Sequence, residues 1–112
     1  VLQRDLASGA VTEKAPIPVP TSPDDIDVAT DGSLTVAGHA NTLKLIMHFI
    51  KGTPAPSQVL RVIPDNGDDA AVDEIYLNAG DEISASSVGT TYGNKLLIGS
   101  ITDKQVLVCE QN

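Results

Sequence analysis

Residues 24–39 read DDIDVATDGSLTVAGH. Apolar and polar residues alternate on both sides of Asp31-Gly32, a dipeptide that strongly favours a two-residue hairpin turn. Antiparallel pairing about that turn sets Thr30 against Ser33, Val28 against Thr35 and Ile26 against Ala37. Continued to the open end, it sets Asp25 against Gly38 and Asp24 against His39. Two acids and a histidine, far apart in sequence, are thereby expected on one rim. A slip of one residue would change every facing pair.

Working outward, short Val/Ile/Leu runs recur between Gly, Pro, Asp, Asn and Ser. VLQRDL precedes a turn at ASGA and the run VTEKAPIPV, where Pro16, Pro18 and Pro20 restrict the chain to an edge or irregular strand. LKLIMHF reads as a nearly continuous apolar strand ended by GTPAPS. QVLRVIP, VDEIYLNAG, ISASSVGTTY, KLLIGSI and KQVLVCE follow as further strands. No stretch has a clear helical period, so the fold class is all-β.

A weak repeat suggests the architecture. Gly32-Ser33-Leu34-Thr35-Val36 matches Asn94-Lys95-Leu96-Leu97-Ile98, 62 residues on, and Leu43 to Met47 matches Gln105 to Cys109. Repeats of consecutive antiparallel strands mark propeller blades. Blades buried on both faces lose clean alternation, as LKLIMHF and KLLIGSI do. The expected layout is outer strands of a preceding blade over residues 1–23, one four-stranded blade over 24–82, and an incomplete final blade over 83–112. A stand-alone β-sandwich is the alternative. Two blades do not close a ring, so further blades are expected on a segment outside this chain or on another chain.

Composition narrows the function. The chain has 112 residues, 15 acids and 7 Lys or Arg, for a formal net charge of −8. That balance opposes nucleic-acid binding, which needs clustered bases. Only Phe49, Tyr76 and Tyr92 are aromatic, so the core must be aliphatic. No apolar run is long enough for a membrane-spanning helix. Cys109 is the single cysteine, which excludes a disulfide within the chain.

The second copy acts as an internal control for the charged rim. Asp24 and Asp25 correspond there to Ser86 and Ser87, and His39 corresponds to Ile101. The hairpin can therefore form without acids or histidine. Paired carboxylates at a concave rim suit a hard cation such as calcium, which takes six to eight oxygen ligands. The simpler reading makes them solvated turn acids and His39 a packing residue. Since neighbouring strand residues face opposite ways, one ion could use both acids only if the backbone is irregular there.

Other signals are weaker. Asp65-Asn66-Gly67-Asp68-Asp69 lacks the spacing and terminal Glu of an EF-hand and reads as an exposed turn. His48 is expected between blades or at a strand edge. Ser84, Ser86 and Ser87 lack a nucleophile-elbow pattern.

DDIDVATDGSLTVAGH, LKLIMHF, PAPSQVLRV and ASSVGTTYGNKLLIGSITDKQVLVCE, in that order, resemble the C-terminal part of the paraoxonase/arylesterase family. The resemblance implies a six-bladed calcium-dependent propeller that hydrolyses lactones and aryl esters. By the same resemblance, Asp24 falls on a calcium-ligating aspartate and Asp25 on an asparagine ligand. His39 falls on an active-site histidine and is the catalytic candidate. Cys109 falls on a cysteine paired with another near the family's N-terminus. A secreted or periplasmic location is also implied. The remaining ligands and the usual histidine base would lie outside this chain, which alone is expected to be inactive. A non-catalytic propeller serving as a binding or scaffold module is the alternative.

Overall fold

The computed structural model describes residues 1–64 and 70–112, so the acidic run 65–69 lies outside the described residues. Strands β1 (Leu2–Arg4) and β2 (Val11–Glu13) form a short ribbon. Strands β3 (Ser22–Val28), β4 (Leu34–His39), β5 (Ser57–Ile63) and β6 (Ala71–Asn78) form a four-stranded antiparallel sheet in chain order. Strands β7 (Ser86–Tyr92), β8 (Lys95–Ser100) and β9 (Leu107–Glu110) form a three-stranded sheet, again in chain order. Among the described residues the chain is all-β apart from one helix, α1 (Thr42–Lys51). Sequential up-and-down sheets stacked face to face are the arrangement of neighbouring blades in a β-propeller.

The stacking follows from which residues are apolar on both faces. Ala37 and Val59 of the first sheet pack with Ile83, Leu96 and Ile98 around the second. Their neighbours Val36, Leu60 and Val62 point the other way, onto Ile17 and Val19 of the proline-rich segment. The central strands β4 and β5 are thus buried on both sides, which explains why VLRV and TVAG lack alternation. Close approach is helped by Gly89 on β7. A Cβ there would lie 3.0 Å from Val59 and 3.3 Å from Thr35.

Three expectations are corrected. First, LKLIMHF is not a strand but most of α1. Asn41 caps the helix by accepting a hydrogen bond from the Lys44 N–H at 2.9 Å, and Gly52 ends it in the left-handed region at φ 69°. Pro54 lies just beyond. Leu43, Ile46, Met47 and Ile50 follow a helical period that the continuous apolar run hid. His48 therefore belongs to a helix. Second, the repeat holds for β4 against β8 but not for α1 against β9. The structural counterpart of β9 is β5, which follows the helix.

Third, the hairpin register is displaced by one residue. Ala29 and Ser33 close a three-residue loop, with the Ala29 N–H donating to the Ser33 carbonyl at 2.8 Å and Gly32 at φ 82°. Ile26 consequently faces Val36, Asp27 faces Thr35 and Val28 faces Leu34. A bulge between Pro23 and Ile26 adds a second residue of displacement at the open end, so Ser22, rather than Asp24, sits opposite His39.

Candidate active site

The bulge decides what the open end of the hairpin presents. Asp24 and Asp25 are its two unpaired residues, lifted from the ladder between the Pro23–Gly38 and Ile26–Val36 pairs. That supplies the irregular backbone on which two adjacent acids can share a side. Gly38 is required beneath it. A Cβ at this position would come within 2.6 Å of both the Ser22 carbonyl and the Thr21 hydroxyl oxygen.

His39 ends β4 and is 9 % exposed. Its Nε2 lies 3.6 Å from Asp24 Oδ2, so the structure brings these two predicted residues together. At that separation the contact is electrostatic rather than a hydrogen bond, and it is an ion pair when the ring is protonated. His39 Nδ1 and the Thr21 hydroxyl are buried without a hydrogen-bond partner among the described residues. Asp25 stands beside Asp24 in the bulge, exposed, but is not part of the His39 contact.

Oxygen donors of this kind match a hard cation. Neither rim carboxylate is engaged in a hydrogen bond among the described residues, and only Asp24 lies near His39. Among the described residues no three His, Cys, Asp or Glu side chains are grouped closely enough to hold an ion. Asp24 and Asp25 alone supply fewer oxygen donors than the six to eight that calcium takes.

Several supporting contacts escaped the sequence reading because they join residues far apart in the chain. Ser22 and Thr42 hydroxyls meet at 3.2 Å, tying the start of α1 to β3. His48 donates from Nδ1 to the Thr53 carbonyl at 2.6 Å and accepts at Nε2 from the Thr102 hydroxyl at 2.8 Å, tying the helix to the second sheet's β8–β9 connection. Ser57 and Ser86, both fully buried, form a hydrogen-bonded cluster where the two sheets meet. Nothing local in SASS distinguishes Ser86 from its neighbours.

The opposite end of β3 is chemically separate. There Arg61 donates to Asp31 at 2.6 Å, and Thr90 donates across the sheets to Asp27 at 2.6 Å. An open cavity of about 710 Å³ includes Asp27, Asp31, Arg61 and Tyr92 in its walls, but neither Asp24 nor His39. At the outer side, burial pushes the Cys109 thiol pKa up, with Glu82 adding to the shift. Burial and the hydrogen bond to Glu82 likewise raise the Tyr76 phenol. Both groups stay neutral at ordinary pH, so neither offers a ready nucleophile.

Comparison with known proteins bears on this rim. The chain is 35 % identical over 85 residues to serum paraoxonase/lactonase 3 of Rattus norvegicus, covering 76 % of this chain and 23 % of the relative. It is 34 % identical over 88 residues to serum paraoxonase/arylesterase 1 of Homo sapiens, covering 78 % and 24 % respectively. The chain thus spans about a quarter of the length of these relatives. The family model described as Arylesterase matches residues 6–111, nearly the whole chain, and the chain belongs to the arylesterase family.

Proposed function

We propose that this chain forms one side of the active site of a calcium-dependent hydrolase of aryl esters and lactones. The observation that carries the reading is the pairing of a bulged Asp24 carboxylate with a buried His39 ring at 3.6 Å. Family membership supports the reaction class, and the names of the relatives cited above point to aryl esters and lactones as substrates. In this reading the ribbon, the four-stranded sheet and the three-stranded sheet belong to three successive blades. The other blades, the remaining ligands and the water-activating base lie outside the chain.

Asp24 and Asp25 would hold the calcium from the bulge. When bound, such an ion supplies Lewis acidity to an ester carbonyl. His39 presents Nε2 toward the same carboxylate, while Nδ1 is sealed in the fold. Nε2 is therefore the ring atom that faces the site. The aspartate at position 25, where the resemblance implies an asparagine, would add one negative charge to the shell.

The test uses the intact protein carrying this chain. Asp24→Asn should weaken calcium binding at least tenfold by titration calorimetry and reduce hydrolysis of phenyl acetate by two orders of magnitude or more. His39→Gln should lower turnover while leaving calcium affinity within about threefold. Wild-type calcium affinity and turnover in Asp24→Asn would overturn the metal assignment. A folded intact protein with neither calcium binding nor esterase activity would favour the scaffold reading.

A further inference from the structure

Ser86 has no role in the reading above, yet its buried hydroxyl ends at the peptide that carries His39. Ser86 starts β7 and is fully buried where the second sheet meets the first. Its hydroxyl accepts from the Gln58 N–H at 3.1 Å. Its single proton has two acceptors in reach, the Gly38 carbonyl at 3.2 Å and the Gln58 carbonyl at 3.4 Å. The nearer is the Gly38 carbonyl, which belongs to the peptide bond into His39.

The hydroxyl is itself held in place. The Ser86 N–H donates to Ser57 Oγ at 3.1 Å, and Ser57 Oγ donates to the Ile83 carbonyl at 2.7 Å. The Ser86 side chain has one χ angle, and this network locks it. At the Cα of the same glycine, Thr21 and Ser22 press so closely that no Cβ fits. The Gly38–His39 peptide is therefore clamped between the rim of its own sheet and a serine of the next. His39 is buried, so a tilt of its backbone displaces the ring relative to Asp24.

We propose that Ser86 is a positioning residue, holding the Gly38–His39 peptide from the neighbouring sheet so that His39 Nε2 faces Asp24. This rests on the assignment of His39 to the active site. It also gives β7 a purpose at the site although it supplies no ligand. Ser84 provides the comparison, since it too is a buried serine donating to a carbonyl, that of Gly80 at 2.8 Å, away from His39.

The experiment compares Ser86→Ala and Ser84→Ala in the intact protein, each at a temperature well below its melting midpoint. Ser86→Ala should lower kcat for phenyl acetate about tenfold with KM within twofold, and should shift the His39 backbone amide resonance. Ser84→Ala should do neither. In a His39→Gln background the Ser86 substitution should have no further effect on kcat, because residues acting as one unit are not additive. If Ser86→Ala folds poorly, Ser86→Cys preserves most of the volume with a weaker donor and should give an intermediate loss.

Equal effects of the two alanine substitutions, or an additive loss in the His39→Gln background, would overturn the positioning role. Unchanged turnover in His39→Gln alone would instead remove the assignment on which it rests. The two failures are distinguishable.

Discussion

At the scale of the residue, Gly38 carries more consequence than the charged groups it supports. It faces Pro23 in the ladder, lies under Thr21 and Ser22, and offers its carbonyl to Ser86. The tight contacts involve the Ser22 backbone, which cannot rotate away as a flexible side chain would. Gly38→Ala should destabilise the protein by about 1–3 kcal/mol, the usual range for overpacking, measured by denaturant unfolding. The same substitution should lower esterase turnover by more than the unfolded fraction explains. The glycine before His39 was visible in the sequence. The atoms that require the glycine were not, because Thr21 and Ser22 meet it only through the displaced register.

At the scale of the element, the β3–β4 hairpin is held at its two ends by different chemistry. At the turn, Asp31 accepts from the Ser33 hydroxyl at 2.6 Å, the Ser33 N–H at 2.9 Å and Arg61 at 2.6 Å. These bonds, the Ser33 hydroxyl first, hold the Asp31 pKa below its ordinary value. The folded pKa being depressed, the stabilising effect is present above the unfolded carboxylate value of about 3.9 and is lost as pH falls through the lower folded value. Asp31→Asn should therefore flatten part of the acid limb when unfolding midpoints are followed from about pH 5 to about pH 2. High salt should shrink only the Arg61 share of the effect, since exposed ion pairs are screened.

Helix α1 shows a different limit of legibility. Its stop and start signals, Asn41, Gly52 and Pro54, were all in the sequence. The apolar run between them fitted a doubly buried strand equally well, and length alone separates the two readings. Strand β5, which begins six residues after the helix ends, is what completes the sheet beside β4.

At the scale of the molecule, the sheets depend on one aliphatic interface with no aromatic at its centre. Ile83, Leu96 and Ile98 from one side meet Ala37 and Val59 from the other. Ile98 is fully buried there. Ile98→Ala should destabilise by about 2–5 kcal/mol, since the cavity lies between two sheets whose backbones collapse poorly. Thermal and chemical unfolding of the intact protein would measure it. A loss below about 0.5 kcal/mol would mean that the sheets do not rest on this contact. Gly89 and the Thr90–Asp27 hydrogen bond work at the same boundary, one by allowing approach and the other by fixing lateral register.

The sequence by itself determined the all-β class, the succession of short strands and the glycine turns. These follow from local rules: alternation, turn propensity and the scarcity of large side chains. Tertiary structure decided three further things. It displaced the hairpin register, because a three-residue loop closes over Gly32 and a bulge adds a further residue at the open end. It set LKLIMHF as a helix, because β5 already fills the place beside β4. It brought Ser86 to the Gly38 carbonyl across 48 residues of chain, a contact that exists only once two sheets have stacked. Local pattern cannot encode such pairings, since they depend on which faces are buried together.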